Sequence, residues 1–169
     1  MAMELLGRLA DMSVAFAPQD ATGGITGKRV RVNNASNLTF VMMTGIGTTG
    51  HALTLTFTQY AASSGGASAT FPYIDHYYSK SIITPGLTGV ETWTVNSQTA
   101  ATTIVLTGED VKQGIYVVEI PVTKLTIPTY QYFGVAVSAG GATQLASGVW
   151  LTSDLAANRD PSKLAAMLS

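Results

Sequence analysis

From Lys28 onward the chain is dominated by an alternation of apolar and polar residues at period two. Val30 and Val32 alternate with Arg29 and Arg31, and Leu38, Phe40 and Met42 alternate with Thr39, Val41 and Met43. The strictest case is Leu53-Thr54-Leu55-Thr56-Phe57-Thr58. Successive side chains of a strand point to opposite faces, so this pattern puts one face on a core and the other toward solvent or a partner. Thr is β-branched and supports the strand while remaining polar. Further strands are predicted at Tyr73 to Lys80, Glu91 to Asn96, Thr102 to Leu106, Ile115 to Ile120, Tyr130 to Ser138 and Gln144 to Thr152. Between them lie turn signals: Ser63-Ser64-Gly65-Gly66, Pro85-Gly86, Thr107-Gly108-Glu109-Asp110 and Ala139-Gly140-Gly141. Many short strands with such punctuation predict an all-β sandwich, with a jelly-roll-like topology preferred over an immunoglobulin-like one. No helical pattern alternates with the strands, which argues against a parallel α/β fold.

The two ends read differently. Leu5, Leu9 and Met12 recur at helical spacing while Glu4, Arg8 and Asp11 point elsewhere, predicting a short amphipathic helix over Glu4 to Met12. Ala15 to Gly27 then reads as extended and turn-rich. Near the other end, Asp160 suits an N-cap and Pro161 a first helical position, and Leu164, Met167 and Leu168 share one stripe. A helix of roughly eight residues is too short to stand alone in water, so it needs a surface to dock on. Three buried apolar side chains contribute roughly 5–8 kcal/mol before ordering costs. The expected organisation is an N-terminal helix and arm over 1–27, a β-sandwich over 28–153, and a tail with a short helix over 154–169. Leu5, Leu9, Met12, Leu164, Met167 and Leu168 are the candidate inter-subunit contacts, with packing on the parent domain as the alternative for each helix.

Composition sharpens this. Among 169 residues, 46% are hydrophobic and only 11% charged, against roughly 25% charged in an ordinary soluble domain. Nine basic and ten acidic side chains leave a net charge of −1, with no basic excess to neutralise phosphates, so nucleic acid is not an expected partner. Lys28, Arg29 and Arg31 cluster, but read as a solvated strand edge. A nearly uncharged polar surface favours association, because little charge has to be desolvated against a neighbour. Glu4, Arg8 and Asp11 interrupt the apolar stretch Met1 to Phe16, unlike a signal peptide, and no run reaches the length of a membrane span. The expectation is synthesis in a cytoplasm, without secretion and without a membrane partner.

Candidate chemistry is sparse. The absence of cysteine removes disulfides, thiolate metal sites and a Cys nucleophile. Gly23-Gly24-Ile25-Thr26-Gly27-Lys28-Arg29 departs from a phosphate-binding loop at Thr22 and Arg29 and precedes a strand where that loop must open a helix. His51 reads as exposed at a strand start. Asp75 and His76, as strand neighbours, point apart and do not converge on one ion. Glu109-Asp110 sit together in one turn, whereas glycosidase carboxylates face each other across a cleft. Trp93 and Trp150 read as core anchors, and Tyr73, Tyr77 and Tyr78 as an interface or core edge. The expectation is a protein that is not an enzyme, with no catalytic residue, no metal and no cofactor.

Three stretches carry a resemblance. Leu5-Leu6-Gly7-Arg8-Leu9-Ala10-Asp11 leads through Val14-Ala15-Phe16-Ala17-Pro18 to Thr26-Gly27-Lys28-Arg29-Val30. Leu53 to Ser63 precedes a Gly-rich turn, and Gly148-Val149-Trp150-Leu151-Thr152-Ser153-Asp154 precedes a Pro-containing tail. Together they resemble small virion proteins encoded in tailed-phage structural gene clusters. The resemblance implies a capsid decoration, or cement, protein. Such a protein would be a β-sandwich on the outer surface of the virion head, made in the host bacterial cytoplasm. Its partners would be the major capsid protein and itself, as a homotrimer before a dimer. The two terminal helices depart from the better-defined decoration proteins. The alternatives are a tail- or fibre-associated carbohydrate-binding module, which needs Trp93 or Tyr77 exposed in a groove, and a ring-forming head–tail joining protein.

Overall fold

The computed structural model describes residues 10–33, 35–83, 89–126, 129–138 and 140–155. These form twelve strands and a single 3-10 turn at Val122–Lys124. The strands are β1 (Ala10–Asp20), β2 (Ile25–Thr26), β3 (Val30–Arg31), β4 (Ala35–Thr44), β5 (Thr54–Tyr60) and β6 (Ser68–Thr70), followed by β7 (Ile74–Ile82), β8 (Thr94–Ala101), β9 (Thr103–Val105), β10 (Gln113–Pro121), β11 (Tyr132–Val137) and β12 (Leu145–Leu155).

One sheet runs β1-β12-β4-β10-β7-β8, and the other β2-β11-β5-β6. In the second sheet, β2 and β3 lie end to end along β11, and β6 and β9 lie end to end along β5. Each of those pairs fills one strand position. Setting aside the β7–β8 hairpin leaves eight positions, arranged 1-8-3-6 and 2-7-4-5 with every pairing antiparallel. That is the strand order of a jelly roll: two interleaved Greek keys folded into a sandwich. The hairpin of β7 and β8 is an addition that widens the first sheet beyond β10.

The core follows from the alternation. Leu38, Phe40 and Met42 of β4, Tyr116, Val118 and Ile120 of β10, and Trp150 of β12 face inward against Leu55 and Phe57 of β5 and Phe133 of β11. The Phe40 ring sits 4.8 Å from Trp150, and Phe133 meets Trp150 edge-on at 6.0 Å, so aromatics knit the two sheets together. Trp150 buries its indole completely and satisfies its N–H by donating to the Lys28 carbonyl at 3.2 Å. Gln59 is the polar intruder on β5. It is buried, yet donates to Thr126 Oγ1 at 2.5 Å and accepts from the Thr126 N–H at 3.0 Å, which ties down the loop after the 3-10 turn.

The structure corrects one expectation here and differs in a second place. The helix read over Glu4 to Met12 is not what Ala10, Asp11 and Met12 form, because they open β1 and pair with Ser153, Thr152 and Leu151. Met12 and Val14 also fit period two, a bulge then turns Ala15 and Phe16 toward the core, and a whole strand of ladder bonds outweighs a weak helix propensity. The sandwich consequently takes in β1 and β2, inside the stretch read as an arm. The second difference is β6, formed from Ser68–Thr70, which no predicted strand covers. The C-terminal helix expected at 161–168, and with it Leu164, Met167 and Leu168, lies outside the described residues, as do Leu5 and Leu9.

Candidate interaction surface

The outward positions of the first sheet are mostly apolar, where a solvated sheet face would be polar. Strand register assembles them into rows. Val14, Val149, Val41, Val117, Tyr78 and Val95 stand directly opposite one another in turn, one from each of the six strands. Val14 and Val95, at the two ends of this row, are half exposed. On one side runs Ser147, Met43, Ile115 and Lys80, and on the other Met12, Leu151, Thr39 and Glu119. Met12, the candidate contact residue within the described chain, is 58% exposed on this face. Neighbouring β-branched side chains stabilise the sheet by about 0.2–1 kcal/mol per cross-strand pair. That does not require the row to face water, and contiguous apolar patches beyond a few hundred Å² mark interaction sites.

A groove of about 310 Å³ opens on this face, lined by Tyr78, Trp93, Val117 and Glu119. Trp93 was expected in the core beside Trp150, but it is 48% exposed. It immediately precedes β8 and shares the outward parity of Val95, so period two carries it away from the core. Lys80 Nζ lies 5.0 Å from the Trp93 ring centroid, a cation–π arrangement on one wall. His76 stands edge-on to Tyr78 at 5.5 Å, and its Nδ1 lies 2.6 Å from Asp75 Oδ1. These strand neighbours meet instead of pointing apart as expected, next to an irregularity in the pairing of β7 with β8. That hydrogen bond holds the Asp75 carboxyl below its ordinary range. Tyr77 points to the opposite face and packs against the core, where burial and then Glu109 push its hydroxyl pKa up. Of the two aromatics a sugar groove would use, Trp93 is available and Tyr77 is not.

No family model matches the chain, and no curated protein matches its sequence. It superposes on the crystal structure of the SPBc2 prophage-derived protein YomS with a TM-score of 0.42 and 9% sequence identity, covering 85% of this chain and 93% of that one.

The remaining sequence candidates have structural partners. His51 is not free at a strand start. It is half-buried, with Nδ1 2.6 Å from the Gly140 carbonyl. Asp110 is buried and accepts from the Gly50 N–H at 2.5 Å and the His51 N–H at 3.3 Å, holding the Gly45–Gly50 turn. Glu109 accepts from Lys112 at 2.8 Å and from the Tyr116 hydroxyl at 3.1 Å. Arg29, read as a solvated cation, stacks 3.6 Å from the Tyr60 ring centroid and donates to the Ala62 and Gly65 carbonyls at 2.8 Å each. It clamps the Ser-Gly loop. Gly24, in the glycine-rich stretch, takes φ +80° in a turn closed on the Ala21 carbonyl. Among the described residues, no group of three or more His, Cys, Asp or Glu could hold a metal ion.

Proposed function

We propose that this protein is a non-enzymatic structural component of a phage virion, a capsid decoration subunit that binds the outer head shell and stabilises it. The observation that carries the reading is the apolar row crossing all six strands of an exterior sheet face. Such a face serves contact. Of the titratable side chains that a catalytic reading would recruit, His51, Glu109 and Asp110 are bonded within turns and loops, and His76 pairs with the exposed Asp75 beside it on β7. The resemblance of the chain to small tailed-phage virion proteins supplies the partner, the major capsid protein. Weak contacts repeated over many identical shell sites become strong when an oligomer engages several at once. The sequence segments carrying Leu5, Leu9, Leu164, Met167 and Leu168 are the proposed shell-binding elements. In sequence they precede β1 and follow β12, which run side by side at the edge of the first sheet.

The test is co-purification with intact heads on a density gradient, with averaged density showing where the protein sits. Density on the outer shell is the expected result; a location in the tail, or no association, overturns the reading. A carbohydrate-binding module is the second reading, favoured by Trp93 in an open groove with Glu119. It requires a positive glycan screen that Trp93→Ala abolishes.

A further inference from the structure

The exterior face of the six-stranded sheet has a charge arrangement that matches a copy of itself. In the three rows built around the Val117–Tyr78 pair, Lys80 and Glu119 are the only charged side chains. They lie on neighbouring strands, at diagonally opposite corners about that pair: Lys80 faces Ile115 on one side, and Glu119 faces Thr39 on the other. Standard strand spacing and rise put them about 14 Å apart, too far to pair within one chain. A two-fold axis lying in the plane of the face, through the Val117–Tyr78 pair and perpendicular to the Lys80–Glu119 diagonal, exchanges the two positions. Each Lys80 then sits over the other copy's Glu119, while the valine rows pack together between them.

We infer that this face is where two copies of the chain pack sheet against sheet around a two-fold axis. Six strands at about 4.8 Å spacing and roughly nine residues of rise give a face of about 24 by 30 Å, or roughly 700 Å². A stable interface buries about 800 Å² per partner, so the available area suits a dimer. A two-fold contact is isologous, which demands the self-complementarity that one cation and one anion about an apolar centre provide. Packing two such faces also covers the groove of Tyr78, Trp93, Val117 and Glu119. This inference rests on the self-association in the function proposed above, and not on the identity of any shell.

The experiment is light scattering and sedimentation of the full chain, with charge-swap variants. The wild type is expected to run as a dimer. Lys80→Glu and Glu119→Lys each place like charges across the axis and should weaken dimerisation at least tenfold, with an unchanged far-UV spectrum and melt. The double swap K80E/E119K should restore it, because the opposite charges meet again. Val117→Lys, at the centre, should leave a folded monomer. A double swap no better than either single variant overturns the inference, as does a wild-type trimer or monomer. A monomer that dimerises only after removal of residues 156–169 also overturns it, by showing that the chain's own end covers the face. A dimer that withstands every one of these substitutions places the contact elsewhere and leaves self-association standing. Binding to heads is read separately on the gradient.

Discussion

Single side chains decide the local geometry at several points, and Gly148 on β12 is the sharpest. It lies opposite Phe16 of β1 and Met42 of β4, with aromatic rings closing over it from both sides. A Cβ there would come within 2.7 Å of Phe16 Cε1 and 2.9 Å of Phe40 Cε2. Gly148→Ala is therefore expected to cost about 1–3 kcal/mol through displaced rings, read as a lowered denaturant midpoint at unchanged slope. Asp20 acts by charge instead. Its carboxylate accepts from the Thr22 hydroxyl at 2.7 Å and N–H at 2.9 Å, and from the Gln144 N–H at 3.2 Å, linking the end of β1 to the approach to β12. These bonds lower its pKa from the ordinary 3.8, so the stability it adds is present above that value and lost as pH falls through the folded one. Asp20→Asn should flatten the acid limb, losing less melting temperature than the wild type between about pH 5 and pH 2.5.

At the scale of elements, the strands that alternate strictly were legible in the sequence. Thr54 to Thr58 falls within β5, with Leu55 and Phe57 buried as the alternation predicts, and Ile115 to Ile120 falls within β10. β1 was not legible as a strand throughout, because Leu5, Leu9 and Met12 fit a helical stripe as well as Met12 and Val14 fit a ladder, and a bulge breaks the alternation before Phe16. What separates the two readings is a partner strand more than a hundred residues away, and local pattern carries no trace of it. The apolar exterior was half legible. Leu38-Thr39-Phe40-Val41-Met42-Met43 is apolar at both parities toward its end, a signal that both faces of β4 meet something apolar. The row of valines, however, exists only through the register of five strand pairings, which no single segment encodes. Trp93 was misassigned for a related reason. The predicted strand Glu91 to Asn96 begins too early, and the parity that takes Trp93 outward is set where β8 pairs with Tyr78 and Ser79.

For the molecule as a whole, the jelly-roll order was reachable from the count and spacing of strands, while the β7–β8 addition was not. Nothing in the pattern says to which sheet a hairpin attaches. The buried apolar residues of the described chain all lie between Ala15 and Trp150. The sandwich should therefore be self-sufficient. Removal of residues 160–169 is expected to leave one cooperative transition with a melting temperature within about 4 °C of the full chain, corresponding to roughly 1 kcal/mol, while reducing co-sedimentation with heads. Loss of cooperative melting would show instead that the tail belongs to the core.

The pairing of Ala10 with Ser153 has a practical corollary. The first and last strands of the described residues are antiparallel neighbours, so a tight reverse turn from residue 155 to residue 10 would make them a hairpin. Fresh ends could then be opened in the Ser63–Gly66 loop, where Gly65 and Gly66 already take positive φ and no ladder bond would be cut. Such a circularly permuted chain keeps every strand neighbour, and it would display a fused peptide from the opposite sheet.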